Sequence, residues 1–298
     1  MSSDFATDTL ALVQAMARRM PLPRVRALHL PPKPVPTAAM AAGNEQSNGR
    51  GDAGAEATRG EFAALELDDG SLGLSYMLLD DTWAGLHAQG QRLVQPGQDT
   101  LQLAQGLASD ELLKRTVGFA AVNALTRCLF DRAGFVPPAS SDSIGHLDPQ
   151  PGELIGMVGH FTPLIGRILE RGAMLLIVEL RADLVGERPG VRVTLDASEL
   201  AHCRKVLATG TLLLNNTLDS LLLQCRQASH LALIGPSVGG PPDPLFARGV
   251  TLLGGSWVLD TPAFLQALRQ GERPGASTRK FALTQADYPG WAALLARC

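Results

Sequence analysis

The second half of this chain repeats one pattern: a short, unbroken apolar run, then Gly, Thr, Ser or Asn, then a helix start. Leu154–Val158 runs into Gly159-His160-Phe161-Thr162-Pro163, and Met174–Val178 into Glu179. Lys205–Ala208 runs into Thr209-Gly210-Thr211, Leu231–Ile234 into Gly235-Pro236-Ser237, and Val250–Leu253 into Gly254-Gly255-Ser256. Strands that read as continuous apolar runs are buried on both faces. Alternation of such strands with helices implies right-handed βαβ crossovers and a mostly parallel, Rossmann-like α/β sheet. The carboxyl ends of its strands share one edge, and ligands bind there.

The helix starts use one device. Thr162-Pro163, Asp243-Pro244 and Thr261-Pro262 each read as a capping side chain followed by Pro at the first helical position. Gly172, Gly249 and Gly271 supply the exits. The cap oxygen takes a free N–H, Pro has no N–H to leave unpaired, and Gly accepts a left-handed turn. Thr217–Gln227 reads as a fourth helix with Asn215 and Asn216 as candidate caps, and Lys280–Leu283 as a last edge strand.

The first half is of a different kind. Residues 7–20 and Asp110–Phe130 carry apolar residues at helical spacing, and Leu101–Leu107 reads as a short helix. Phe62–Leu67 and Leu72–Leu78 flank Asp68-Asp69-Gly70-Ser71, a strong hairpin signal. Arg24–Leu30 alternates and is expected to join that hairpin in a small antiparallel sheet. This is a smaller α+β domain, over residues 1–136. Within it, residues 31–60 hold Pro, Gly, Ala, Ser and Asn with almost no large apolar side chain, and read as a flexible insertion. Pro137–Pro151 reads as a linker to a ligand-binding domain over residues 152–298.

Composition removes several function classes. The formal charge is −3 with no basic run, which argues against a nucleic-acid surface. No apolar stretch approaches membrane-spanning length, and residues 1–9 lack the basic start and apolar core of a signal peptide. The expectation is a soluble cytoplasmic protein that binds no nucleic acid or membrane; a homo-oligomer stays open. Cys128, Cys203, Cys225 and Cys298 form no CxxC pair or Cys/His zinc spacing, so reduced thiols are expected.

Chemistry is expected at the strand ends. Gly156, Gly159, His160, Phe161 and Thr162 lie between the first strand and a capped helix, where free N–H groups suit an anion. Glu179 lies about twenty residues on, where dinucleotide folds hold a ribose, but GxGxxG is absent and only GxxG is present. Beside a helix N-terminus His160 is biased toward neutral imidazole, able to ligate a metal, act as a base, or make a structural hydrogen bond. Thr209, Gly210, Thr211 and Asn215 bracket the next strand–helix turn and can bind a ligand or cap the helix. Gly235-Pro236-Ser237 completes the set and matches neither a serine-hydrolase elbow nor a phosphate P-loop.

These residues resemble a family. Gly156–Leu164 is similar to the GMVGxFxPL opening of the heavy-metal-chelation family, and Ala208–Asp219 to its TGTTLxNxTLD segment. Leu233–Ser237 with Leu245–Val250 is similar to its GPSxPxxPxLFxxGV segment, and Ala121–Leu125 to its AxxNAL helix. The resemblance implies a Rossmann-like C-terminal domain behind an enolase-N-terminal-like domain. It also implies a role in handling or making metal chelators, with a site between the two domains. Three functions follow as expectations. One is binding of a transition metal, a metal-chelate or a small polar ligand in the interdomain crevice, with His160 as metal ligand. The second is an enzyme of metallophore or cofactor biosynthesis with a nucleoside-type cosubstrate. The third is a scaffold whose crevice is plugged by apolar side chains.

Overall fold

A computed structural model describes residues 4–33, 61–142 and 144–298. Most of the expected insertion, residues 34–60, lies outside the described residues. Strands β1 (Val25–His29), β2 (Phe62–Leu67) and β3 (Leu72–Tyr76) form an antiparallel sheet in that order. The β2–β3 hairpin closes as expected: Asp69 accepts from the Ser71 N–H at 3.0 Å, and Gly70 takes φ +87°. Helix α4 (Leu112–Arg132) lies on β3 and is buried almost all round from Arg115 to Phe130. A helix without a solvent face needs no amphipathic stripe.

Helix α1 (Phe5–Arg19) is capped by Asp4, whose Oδ1 accepts from the Thr7 N–H at 2.7 Å. The short helix α9 (Trp291–Leu295) returns the chain's end to it, with Trp291 Nε1 donating to the Leu12 carbonyl at 3.1 Å. One apolar core runs from Phe5 to Leu295 and joins α1, α4 and the small sheet to one face of the large sheet. Polar clamps reinforce the junction. Arg248 pairs with Asp8 at 2.8 Å and with Asp219 at 2.7 Å.

Helix α2 (Thr82–Leu93), which the sequence reading does not anticipate, carries His87 packed against Trp83, with ring centroids 4.3 Å apart and planes tilted by 53°. Burial, then the charge of Lys33, holds the His87 imidazole below its usual pKa. The folded state thus favours neutral His87, and the unfolded chain takes up the proton more readily below about pH 6.5. This contribution is present above that pH and is lost as pH falls toward the lower folded value. Urea midpoints between pH 7.5 and 5 are expected to fall more steeply for the wild type than for His87→Phe.

The large sheet has eight strands. They are β4 (Leu154–Val158), β5 (Met174–Val178), β6 (Gly186–Arg188), β7 (Val191–Thr194), β8 (Lys205–Thr209), β9 (His230–Ile234), β10 (Leu252–Val258) and β11 (Thr278–Thr284). Their order is β11-β10-β9-β8-β4-β5-β7-β6. From β10 to β7 all pairings are parallel; β11 and β6 are antiparallel edges. Chain order reverses between β4 and β8, the switch point of a Rossmann-like sheet. Alternate residues face opposite cores. Ile155, Met157, Leu207 and Ala232 meet α5 (Thr162–Leu169), while Val158, Val206, Ala208 and Leu233 join the core shared with the first half.

Helices α3 (Thr100–Ala104) and α6 (Leu218–Gln224) overlap the spans expected for them, and the structure corrects three local expectations. The Pro of each Thr-Pro or Asp-Pro start is the second helical residue, so the cap lies one position earlier. In α8 (Thr261–Gln270) it is Asp260, which accepts from the Ala263 N–H at 3.0 Å, with Gly271 as left-handed exit. In α5 and in α7 (Asp243–Phe246) the preceding residues are Phe161 and Pro242, and no side chain caps either helix. Strands β6 and β7 are an addition: Val191-Arg192-Val193-Thr194 alternates rather than forming a continuous apolar run. Finally, Gly254-Gly255-Ser256 does not terminate a strand; β10 runs through it to Val258.

Candidate functional site

Strand β10 pairs with β9 only over Leu252–Gly254 but with β11 over its whole length. Its last four residues therefore project past the carboxyl end of β9. Two glycines sit where the projection begins. A Cβ on Gly255 would lie 2.5 Å from the Phe281 ring and from the Val238 carbonyl, and one on Gly254 would lie 3.0 Å from the Ile234 side chain. With no side chains there, backbone forms the floor of a hollow of about 260 Å³. Phe161, Pro163 and Leu164 from the start of α5, Gly235 and Pro236 after β9, and Phe281 and Ala282 of β11 wall it. Ser256 and Lys280, cross-strand partners, line it together with Ser140, Asp142 and His146.

The segment read as a linker thus carries part of the site. Its start, Pro138–Ser140, runs along β11, with the Ser140 N–H donating to the Lys280 carbonyl at 3.1 Å and the Ala282 N–H to the Pro138 carbonyl at 3.2 Å. Leu147 is buried on the α5 side of the sheet. Gly145 packs against Ala232, and its carbonyl lies 2.7 Å from His230 Nε2.

A narrower hollow of about 50 Å³ adjoins the first and shares Pro236, Ser256 and Phe281 with it. It lies between the two sheets, lined by Leu72, Leu74, Asn123 and Arg127 on one side and by Ser237, Gly239 and Trp257 on the other. Asn123 Nδ2 donates to the carbonyls of Leu74 at 2.7 Å and Ser237 at 2.9 Å, so one buried amide ties the small sheet to the turn after β9. Arg127 lies 3.9 Å from the centre of the Trp257 ring and donates to the Val258 carbonyl.

Of the expected residues, Phe161, Gly235 and Pro236 line the larger hollow, and Pro236 and Ser237 the smaller. Gly159, Thr209 and Gly210 meet at the switch point on the same edge. Gly159 takes φ +86°, and a Cβ there would lie 3.1 Å from Thr209 Cγ2. Thr209 Oγ1 accepts from the Thr211 N–H at 3.3 Å and from its hydroxyl at 3.2 Å. Asn215 serves its own turn, accepting from the Thr217 N–H and hydroxyl. Glu179, at the end of β5, accepts from the Leu180 N–H at 2.8 Å. Gly156 is corrected: it is buried mid-strand, where a Cβ would meet Leu200, Val206 and Cys203, so it serves packing. Sequence reasoning placed Gly254-Gly255-Ser256 at a strand end without naming them as site residues, and missed Asn123, Ser140, Asp142, His146 and Lys280. A usable signal was present: Trp257-Val258 continues the apolar run beyond the double glycine.

The soft-donor inventory decides whether side chains alone fit a metal. All six histidines and all four cysteines of the chain lie among the described residues. His29 meets Glu66 at 2.8 Å, His146 meets Ser140 at 3.3 Å, and His160 Nδ1 meets the Thr162 hydroxyl at 3.3 Å. Burial first of all pushes the thiols of Cys128, Cys203 and Cys225 up to about 12, 11 and 12, away from the thiolate that a metal needs. Among the described residues no group of three or more His, Cys, Asp or Glu is placed to hold an ion. The expectation of His160 as a metal ligand therefore finds no partner set around it. Iodoacetamide at pH 8 is expected to label Cys298 alone in the native protein, and all four thiols in urea; mass spectrometry counts the adducts.

Two family models, both described as "Putative heavy-metal chelation", match residues 56–126 and 142–286, together well over half of the chain. An uncharacterized protein of Methanocaldococcus jannaschii is 25% identical over 171 residues, 54% of this chain; the match spans 61% of that relative's length. A solved protein of unknown function from the same family, from Desulfitobacterium hafniense, superposes with TM-score 0.64 at 19% identity, covering 94% of this chain and 99% of the other. Another, from Pyrococcus horikoshii, gives TM-score 0.57 at 20% identity, covering 75% and 88%. At those identities the likeness establishes the fold.

Proposed function

The chain belongs to the heavy-metal-chelation family, and from that premise we propose that it binds a small ligand of metal handling in the hollow over Gly254–Ser256. The observation that carries this reading is the projection of β10 beyond β9 on a glycine floor. It leaves about 260 Å³ open at the carboxyl ends of the strands, near the size of small-ligand sites. The hollow offers apolar walls and a few polar groups at its rim, a composition that excludes water from a ligand's body and orients its polar end. The open hollow is lined by residues 140–282 alone, whereas the hollow between the two sheets, where the resemblance implied a site, holds only about 50 Å³ and is walled largely by apolar side chains such as Leu72, Leu74, Phe130 and Trp257.

A nucleoside-type cosubstrate is the competing reading, because strand order brings Gly159 to the switch point with Glu179 one strand away. The methyl of Thr209 stands close against that glycine turn, whereas the hollow at β9 and β10 is open. A thermal-shift panel separates the two. Zinc picolinate is expected to raise the melting temperature, and ATP, NAD and S-adenosylmethionine to leave it unchanged. A shift with a nucleotide and none with the complex would replace this reading by the other.

A further inference from the structure

We infer that the hollow recognises the organic chelator and not the metal ion: a flat, carboxylate-bearing molecule whose ring lies on the Gly254–Gly255 backbone and whose carboxylate meets Lys280. The inference rests on the ligand reading above and names the ligand's class.

Two independent observations carry it. The first is the donor inventory. No histidine or cysteine lies outside the described residues, and no three-donor group lies among them, so the chain offers no soft-donor cage for a bare cation. A metal in the hollow would meet Asp142 and His146 at most among such side chains, and so completes its coordination with ligands that it brings.

The second is the charge at the rim. Asp142 engages both carboxylate oxygens with backbone, accepting from the N–H groups of Ile144 and His146. Lys280, by contrast, makes no ion pair among the described residues and stands directly across from Ser256. The polar end therefore presents the Lys280 ammonium and the Ser256 hydroxyl as free donors, with the Asp142 charge held by backbone beside them, and those donors are the complement of a carboxylate. The remaining surface suits an uncharged aromatic body: bare glycine backbone, Phe161, Pro163, Leu164 and Ala282.

Titration calorimetry with the full chain tests this. Sodium picolinate, its zinc complex and its nickel complex are expected to bind within about threefold of one another, and zinc or nickel chloride to give no stoichiometric heat. Lys280→Ala is expected to weaken picolinate roughly tenfold, the effect of losing a hydrogen bond to a charged group. The same variant leaves the zinc complex of neutral 2,2′-bipyridine unchanged. Stoichiometric binding of either chloride overturns the inference, as does a preference above tenfold between the zinc and nickel complexes, or picolinate binding that Lys280→Ala leaves intact. Picolinate binding that persists at full strength in Ser256→Phe moves the site elsewhere and so overturns the ligand reading itself. No heat with any picolinate form overturns the chelator class.

Discussion

Replacing Ser256 with Phe is expected to weaken zinc picolinate binding by at least about a hundredfold, the equivalent of roughly 2.7 kcal/mol, with the fold intact. Ser256 is partly exposed in the projecting half of β10, and both hollows touch it. A phenyl group there enters open space and displaces no core side chain, so stability should stay within about 0.5 kcal/mol of wild type. Ser256→Ala removes only the hydroxyl, and its effect should stay under about tenfold. His160→Ala should leave affinity unchanged, because His160 lines neither hollow. The contrast between Ser256→Phe and His160→Ala separates a site at β9 and β10 from one at the β4 switch point.

Gly73→Ala should cost about 3 kcal/mol or more, near the upper end for overpacking. Gly73 lies in β3 where α4 crosses it. A Cβ would sit 2.0 Å from the Ala120 carbonyl oxygen and 2.3 Å from the Ala124 amide nitrogen. Both obstacles are backbone, so no rotamer change relieves them, and the helix must lift off the strand. That movement would strain the Asn123 amide bonds to Leu74 and Ser237, and with them the link between the sheets. Gly70→Ala is the control. Nothing lies within 4 Å of its Cβ position, so its cost is the left-handed backbone alone, about 1 kcal/mol. Urea unfolding of the two variants measures the difference.

Much of this architecture was legible because it follows from local rules. Unbroken apolar runs marked five of the parallel strands, and Asp69-Gly70 marked the hairpin. Strand β7 escaped because its two valines alternate with Arg192 and Thr194, a pattern that resembles a surface loop when only four residues long. The caps were misplaced by one residue because Pro fits the first helical turn at more than one position. The strand-end edge was anticipated, and Gly159, Thr209 and Gly235 do lie along it. The hollow was not located because its cause is a difference in length between β9 and β10, which depends on pairing. Lys280 and Asn123 reach the site only through tertiary contacts, and Pro138–Ser140 carried turn-like composition that hid their docking along β11.

The most direct test of the ligand hollow is an anomalous difference map at the zinc edge, from crystals of the full chain soaked in zinc picolinate. The account predicts a zinc peak over the Gly254–Gly255 backbone, ligated by picolinate, with a carboxylate oxygen within hydrogen-bond distance of Lys280 Nζ. A peak held by His160 or by any protein side chain at the β4–β8 switch point, with the hollow holding only water, would contradict it.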